Sequence, residues 1–231
     1  MFIALSIVLF SACKKSEDDE RTIEYGSVTD VEGNVYKTVK IGEQWWMAEN
    51  LKVSTFNDGT QIGFLSIDDS DSTWAAANGP LYTVIIDSIY GYLYNGFVVS
   101  SEKNIAPTGW HIASDDDWKI LESELGMNEN EINQTGWRGQ SEAEMLATKY
   151  AIGWPEAGEL YGMDEFGFEA RPGGCRIVDG RTNTSSSTAF WWTNTKSGNE
   201  IWYRYIDAYD KRIFRQHTYT QYGMSIRCVK D

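Results

Sequence analysis

The chain has 231 residues, of which 42% are hydrophobic and 14% aromatic, and its formal net charge is −14. This composition supports a folded core in one domain or two small ones, because each large aromatic side chain buries up to about 250 Å². The acidic excess disfavours nucleic acid as a partner, since phosphates are neutralised by Lys and Arg. It also disfavours direct contact with anionic lipid, so a membrane attachment would need acyl chains.

An uncharged apolar run opens the chain. Residues 1–12 are apolar except for Ser6 and Ser11, and they are too few to span a bilayer, which needs about 20. This pattern predicts a lipoprotein signal peptide over residues 1–12. Ser-Ala-Cys at 11–13 resembles a bacterial lipobox, so Cys13 is the candidate lipidation site and its acyl chains would hold the protein in the outer membrane. The alternative is a short apolar terminus with a stray thiol, since Phe10 stands where a lipobox usually has Leu.

Residues 13–25 are predicted to form an acidic flexible tether. Lys14 and Lys15 are followed by Ser-Glu-Asp-Asp-Glu at 16–20. This order resembles the tether that sends Bacteroidetes lipoproteins to the outer leaflet. The expected location is therefore the outer membrane, lipid-anchored and at the cell surface. An ordinary solvated linker is the alternative, as for most runs of charge.

A small β-meander is predicted to open the folded domain. Gly33 and Asn34 lie between apolar residues and predict a hairpin turn. Gly-Glu at 42–43 predicts a second turn that leads into a strand at Trp45. A short helix is expected around residues 74–77, capped by Asp71 or Ser72. Asp68, Asp69 and Asp71 lack the ligand order of a calcium loop, so they are expected to form a solvated, helix-capping cluster.

Two helices are predicted in the middle of the chain. Ser114 and the three aspartates that follow it form a capping-box-like start, with negative charge at the positive end of the helix dipole. Trp118 and Leu121 are three residues apart, as on one helix face, and Gly126 favours a helix end. A second helix is predicted to begin at Ser141.

The remainder of the chain, 165–231, predicts short strands separated by Gly, Ser and Asn. These strands are expected near 167–168, 175–177, 190–193, 201–206, 212–215 and 224–229. Strands, then helices, then further strands joined by turns indicate an α+β fold. No boundary signal divides residues 26–231, so they are predicted to form one domain.

Several segments resemble those of one known family in their order and in their amino-acid sequence. They are DVEGNVYKTVKIG at 30–42, QWWMAENL at 44–51, YGYLYN at 90–95, APTGWHIASD at 106–115, RPGGCR at 171–176, FWWT at 190–193 and YGMSIRCVKD at 222–231. Together they resemble the Fibrobacter succinogenes major paralogous domain, a family of secreted and lipoprotein modules common in Bacteroidetes and Fibrobacteres. The resemblance implies a C-type-lectin-like fold, near the formylglycine-generating-enzyme branch, with small antiparallel sheets, two flanking helices and long irregular loops.

Cysteine usage leaves one candidate disulfide. If Cys13 is lipidated, Cys175 and Cys228 remain, and this even remainder permits one bridge in an oxidising compartment. The resemblance bears against the bridge, because Ala106 stands where the family often has a cysteine. If the two thiols are unpaired, Cys228 is expected to be a small buried apolar residue, with its two sequence neighbours facing outward.

No catalytic set is recognisable in the residues. His111 and His217 lie in no zinc or nucleophile motif, and His111 is expected to make a structural hydrogen bond. The sugar-binding motifs of calcium-dependent lectins are not found, so neither a metal nor a cofactor is expected. With 34 acidic residues, some carboxylate pair has glycosidase spacing by chance. Whether the chain is an enzyme therefore stays undecided.

Aromatic residues on predicted strands remain as candidate ligand-binding residues. They are Trp191, Trp192, Trp202, Tyr203 and Tyr205. Neighbouring residues of a strand face opposite sides, so one of each adjacent pair is expected in the core, and the other is free to be exposed. Exposed Trp and Tyr suit stacking on sugar rings or contact with peptides. The alternative is that all five pack between sheet and helices, and for any single residue packing is favoured over exposure.

These features together favour a non-catalytic, surface-exposed binding or adhesion module of a bacterial lipoprotein, with a glycan or a protein as ligand. The expectation rests on the surface location, the aromatic excess, the lectin-like fold that the resemblance implies and the missing catalytic set. The alternatives are an enzyme that acts on polysaccharide or on a protein cysteine, and a structural envelope protein.

Overall fold

A computed structural model describes residues 22–85, 88–149, 153–156, 158–183 and 187–231. The predicted signal peptide, Cys13 and most of the predicted tether lie outside the described residues. The first strand begins at Tyr25, one residue before the expected domain boundary.

The described residues form short strands and short helices in the order of the predicted α+β pattern. In chain order they are β1 (Tyr25–Thr29), β2 (Val35–Ile41), β3 (Gln44–Met47), β4 (Gly63–Phe64), α1 (Asp71–Ala75), β5 (Leu81–Thr83), a 3₁₀ turn (Ser88–Tyr90), β6 (Leu93–Asn95), α2 (Gly96–Val99), β7 (Trp110–Ile112), α3 (Asp115–Glu124), α4 (Glu129–Ile132), β8 (Gly136–Arg138), α5 (Glu142–Leu146), β9 (Cys175–Arg176), β10 (Thr182–Asn183), β11 (Thr188–Ser197), β12 (Glu200–Asp207), β13 (Asp210–Thr218), β14 (Gly223–Met224) and β15 (Cys228–Lys230).

The predicted meander forms the first sheet. Strands β1, β2 and β3 pair antiparallel through turns at Gly33 and Gly42, whose φ angles of 85° and 58° lie in the left-handed region that glycine adopts without strain. The last strand, β15, inserts between β3 and β7, so the five-stranded order is β1-β2-β3-β15-β7. The two ends of the domain therefore lie in one sheet.

Two further sheets complete the β-structure of the described residues. A six-stranded sheet has the order β10-β9-β14-β6-β5-β4, and a four-stranded sheet has the order β11-β12-β13-β8. The pairs of the four-stranded sheet are all antiparallel, whereas β4 and β5 pair parallel. The strand expected at 167–168 is not formed, since these residues lie in a turn and an irregular segment.

The predicted helix start at Ser114 is confirmed in detail. The Ser114 hydroxyl accepts from the Asp117 backbone N–H, and the Asp117 carboxylate accepts from the Ser114 N–H, which is a capping box. Trp118 and Leu121 are fully buried and hold α3 against the core. The helix expected from Ser141 is the short α5.

Two apolar clusters lie on opposite faces of the four-stranded sheet. The first joins Val39, Trp46 and Trp118 to Trp191 of β11. The second joins the six-stranded sheet to Trp192, the next residue of β11. The sheet is thus buried on both faces along this stretch, which decides where its aromatic residues can be exposed.

The prediction that the two neighbours of Cys228 face outward is wrong. Arg227 is 1% exposed and Val229 is 2% exposed. Arg227 donates to the carbonyls of Met47, Phe168 and Glu169, so it ties the last strand to β3 and to the irregular segment that follows α5. A buried guanidinium is tolerated here because its N–H groups are hydrogen-bonded.

Within the described ranges no helix is both long and apolar enough to cross a membrane.

Candidate functional site

Strand β12 sorts its aromatic residues onto two faces. Tyr203 and Tyr205 share one face, because side chains two residues apart point the same way along a strand. Trp202 and Arg204 lie on the other face, which turns toward α3. The Arg204 guanidinium lies 5.8 Å from the ring centroid of Trp118 in that helix.

A row of four aromatic rings crosses the four-stranded sheet on the Tyr205 face. Phe190 in β11 pairs with Tyr205, Tyr205 pairs with Phe214 in β13, and Phe214 pairs with Trp137 in β8. Because adjacent strands lie about 4.8 Å apart, the row is about 15 Å long. We call these four residues together with Tyr203 the aromatic platform.

The rings of the aromatic platform hold one another in place. Phe190 and Tyr205 are stacked, with centroids 4.3 Å apart and planes at 11°. Trp137 lies 5.2 Å from both Tyr205 and Phe214, and Tyr203 lies 6.3 Å from Phe190. Each aromatic pair contributes about 0.5–1.5 kcal/mol beyond the area it buries. The surface is therefore preformed, and a ligand would not have to order it.

All five platform residues are partly exposed. Phe190 and Tyr203 pack against the second apolar cluster from its margin, on the same face as buried Trp192. The platform is therefore the open edge of a core face, with ring surface left for a ligand.

Polar groups border the platform at the hairpin that joins β12 and β13. The Tyr205 hydroxyl donates to Asp207, and burial together with this bond raises the pKa of Tyr205. Arg212 binds both oxygens of Asp210, at 3.0 and 2.8 Å, and its guanidinium lies 5.8 Å from the Trp137 ring centroid. Tyr209 at the hairpin turn is 57% exposed. Hydrogen-bonding groups thus stand beside the stacking surface.

Trp191 and Trp192 both pack in the core, and neither of the pair is exposed. Both are fully buried, each in a different apolar cluster. Their indole N–H groups are used inside the protein, Trp191 donating to Asn50 and Trp192 to the Tyr94 carbonyl. Alternation fails as a guide to exposure here because both faces of β11 are covered.

Trp202 lies away from the aromatic platform, on the opposite face of β12. Its ring is covered by the Arg215 guanidinium, 3.7 Å from the centroid, and His217 meets it edge-on at 4.8 Å. Of the five residues predicted from the sequence, the structure therefore brings Tyr203 and Tyr205 together and places the other three elsewhere.

Sequence reasoning missed Phe190, Phe214 and Trp137. Phe214 lies in a predicted strand and alternates with two buried neighbours, which was a usable signal. Phe190 lies in β11, where alternation does not decide exposure. Trp137 was not foreseeable in the same way, because it stands in a three-residue strand whose partner, β13, follows more than 70 residues later.

The candidate disulfide is not formed in the structure. Cys175 and Cys228 are both buried free thiols. Burial raises the pKa of Cys175 to about 12 and the pKa of Cys228 further still. Thiols so far from ionisation are poor nucleophiles at neutral pH, which weighs against redox chemistry at these two positions.

A cavity of about 300 Å³ lies beside the segment that follows α5, and it is lined by Thr148, Lys149, Met163, Asp164 and Glu169. Asp164 and Glu169 have φ angles of 46° and 54°, a strained region for residues with a side chain. Burial raises the pKa of Asp164. Burial acts in the same sense on Glu169, but hydrogen bonds from Lys37 and Arg171 outweigh it and lower the pKa of that carboxyl.

The part of the chain that the structure describes contains no group of three or more His, Cys, Asp or Glu side chains arranged to bind a metal ion.

Comparison with known proteins identifies the chain at the level of the family. The family model described as the Fibrobacter succinogenes major domain matches residues 39–230, which is most of the chain. Neither a curated protein nor a solved structure matches the chain. The matched range begins inside β2 and ends at the last residue of β15, so it includes the whole aromatic platform and both apolar clusters except Tyr36. The chain therefore belongs to the Fibrobacter succinogenes major domain family.

Proposed function

We propose that residues 26–231 form a non-catalytic glycan-binding and adhesion module, and that the glycan lies along the aromatic platform. The observation that carries the proposal is the row of four partly exposed rings in direct register across four strands. A row of this kind offers an apolar surface about 15 Å long, in which some rings present their faces and others their edges. Pyranose rings present apolar C–H faces, and these faces pack on the exposed rings of aromatic side chains.

The polar groups beside the platform can hydrogen-bond to the hydroxyl groups of a sugar. Asp207 and Asp210 carry carboxylate oxygens that accept from hydroxyl groups, and Arg212 carries N–H donors. Asp210 already neutralises Arg212, so the border has little net positive charge. This charge balance suits a neutral glycan better than an anionic one.

The wider setting belongs to the same proposal. We infer a C-type-lectin-like arrangement for the domain, an acyl anchor on Cys13, an acidic tether over residues 13–25 and a location on the outer membrane facing outward. The support is the resemblance of residues 11–13 to a lipobox and the acidic run at 16–20. With this anchor, the platform would meet glycans outside the cell.

A glycan array tests the binding function. The full chain with Cys13→Ala, which removes the anchor, should bind a subset of neutral glycans. Tyr205→Ala and Trp137→Ala should each weaken binding by at least tenfold, about 1.4 kcal/mol, because each removes a stacking ring. Tyr161→Ala is the matched control, since Tyr161 is 68% exposed and outside the platform. Binding that survives both platform changes would exclude this site.

The cavity at Asp164 and Glu169 supports a second candidate function, hydrolysis of a polysaccharide. Opposite pKa shifts of two neighbouring carboxyls are what an acid and its ionised partner require. A reducing-sugar assay on the glycans that bind decides between the two functions. Release of sugar that is lost in Asp164→Asn would favour the enzyme. Binding without release would favour the non-catalytic module. If the chain neither binds nor hydrolyses a glycan, a structural envelope protein is the remaining alternative.

A further inference from the structure

A second set of aromatic rings lies at the far edge of the six-stranded sheet. Phe64 of β4 pairs with Tyr82 of β5, and Tyr82 pairs with Tyr94 of β6. Exposure increases along this row: Tyr94 is fully buried with its hydroxyl bonded to Val53, Tyr82 is partly exposed and Phe64 is 56% exposed. The row therefore leads from the second apolar cluster into solvent.

Tyr92 extends the aromatic surface beside this row. Tyr82 and Tyr92 are stacked, with centroids 5.0 Å apart and planes at 19°, and Phe64 lies 5.2 Å from Tyr82. We call Phe64, Tyr82 and Tyr92 the tyrosine shelf. As on the aromatic platform, the rings fix one another, so that their exposed surface is preformed.

The tyrosine shelf also has hydrogen-bonding groups at its side. Glu32 accepts through Oε1 from both the backbone N–H and the hydroxyl of Ser54, at 2.9 and 2.7 Å. The Ser54 side chain also lies beside Tyr82, where it acts to lower the pKa of that tyrosine. These contacts hold the Glu32 carboxylate next to the shelf and leave Oε2 to accept from a ligand hydroxyl.

Charge restricts what the shelf can bind. Burial raises the pKa of Tyr82 and Tyr92, and the negative charge of Glu32 raises both further. Asp30 adds to the same field at Tyr92. A ligand with carboxylate or sulfate groups would be repelled here, whereas a neutral sugar gains acceptors for its hydroxyl groups.

The shelf and the platform are separate surfaces. Cys175 of β9 lies close to Tyr203 and Tyr205 of the platform. Strand β9 is three strand spacings from β5, which carries Tyr82, and four from β4, which carries Phe64, or about 14 and 19 Å. A disaccharide is too short to occupy both surfaces, but a polymer presents many equivalent segments.

We propose that the tyrosine shelf is a second glycan-binding site, and that the ligand of this domain is therefore a neutral polysaccharide engaged at two places. This inference rests on the proposed function, since it assigns a ligand class to the same binding module. Two sites bring an avidity gain on a polymer or a surface that a short oligosaccharide cannot give.

Calorimetry on the full chain with Cys13→Ala counts the sites. The probes are disaccharides of neutral polymers, namely xylan, mixed-linkage β-glucan and mannan, with an oligogalacturonate of the same length as the acidic comparison. The neutral probe that binds should do so with a stoichiometry of two per chain. Phe64→Ala and Tyr205→Ala should each reduce the stoichiometry to one, and the double variant to zero.

The intact polymers give the second readout. Each single variant should lose at least tenfold in apparent affinity for the bound polymer, because avidity disappears with either site. Phe64→Leu separates stacking from folding: it keeps apolar bulk, so its thermal unfolding midpoint should stay unchanged while the shelf site is lost. Tyr161→Ala should behave as the parent chain.

The outcomes separate this inference from the proposed function. A stoichiometry of one that Tyr205→Ala abolishes and Phe64→Ala leaves unchanged would overturn the second site and keep the binding module. Equal binding of oligogalacturonate would overturn the neutral ligand class. Binding of no probe by the parent chain, on the array as well, would overturn both proposals.

Discussion

Buried charge is the main energetic feature at the residue scale. Glu122 of α3 binds Arg138 at 2.7 Å and Arg204 at 2.6 Å, and all three side chains are fully buried. Two turns earlier, Asp115 binds Arg204 and Arg215 at 2.8 and 2.7 Å. Each carboxylate is thus shared by two guanidinium groups. Removing one carboxylate therefore takes an ion-pair partner from two buried arginines.

Replacing Glu122 should therefore be costly. We expect Glu122→Gln to lower the free energy of unfolding by about 3–5 kcal/mol, the usual effect of breaking a buried ion pair. The measurement is the urea midpoint and slope followed by tryptophan fluorescence. Glu124→Gln is the control, because Glu124 lies on the same helix and is exposed. Equal midpoints for the two variants would contradict the role given to Glu122.

His111 predicts how stability depends on pH. Its two ring nitrogens face Asp117 at 3.0 Å and Asp231 at 2.8 Å. The bond to Asp117 raises the pKa of His111 to about 9, against the opposing effect of burial and with the help of Asp231. Since the unfolded value is about 6.5, this contribution is complete below pH 6.5 and is lost as the pH rises through 9.

The expected loss at His111 is about 1 kcal/mol, because solvent screens this partly exposed cluster. Urea unfolding at pH 6, 7.5 and 9.5 should give a decline in stability that is absent in His111→Gln. His217→Gln, which leaves the cluster intact, should keep the decline. A parent chain whose stability does not change over this range would refute the assignment.

Among the elements, α3 is the one that local sequence specifies best. Its start is held by Ser114, which exchanges hydrogen bonds with Asp117, and its apolar face carries Trp118 and Leu121 into the first cluster. The strands of the sheets are different, because many have only two or three residues. Such strands depend on their partners, and no pattern within them names the partner.

Removing the cap should weaken α3 and the packing behind it. Ser114→Ala is expected to destabilise the protein by about 1 kcal/mol, since it leaves helix N–H groups without an acceptor. Thermal or urea unfolding measures the change. The control is Ser123→Ala, which alters an exposed serine of the same helix and should shift stability by less than about 0.5 kcal/mol. A larger effect at Ser123 than at Ser114 would disprove the capping role.

At the scale of the whole molecule, the platform and the shelf border one shared core, the second apolar cluster. The first and last strands lie in the same sheet. The proposed tether would join the domain at β1, in the sheet that holds both ends of the folded domain.

The anchor itself is testable by acylation. Cells that express the chain should incorporate palmitate into it, and Cys13→Ala should abolish the label and stop signal-peptide removal. Globomycin, which inhibits the lipoprotein signal peptidase, should have the same effect on processing of the parent chain. Ser16→Ala is the control because it leaves the lipobox intact. A label that persists in Cys13→Ala would disprove lipidation at this residue.

Local sequence determined the parts of this protein that depend on neighbouring residues. The meander turns at Gly33 and Gly42, the capping box at Ser114 and the α+β order all follow from short-range hydrogen bonding and backbone preference, which act over a few residues. Family membership also followed from the sequence, because its motifs are continuous segments. Tyr203 and Tyr205 were also predicted from one continuous segment, since they alternate with buried residues along one strand.

The tertiary structure alone decided what is exposed. Trp191 and Trp192 look alike in sequence, and both are buried because a core lies on each face of their sheet. Trp137 joins the platform, and Arg227 enters the core, through partners distant in the chain. The physical reason is that burial and pairing depend on the closure of long loops around the apolar clusters, which no local pattern records.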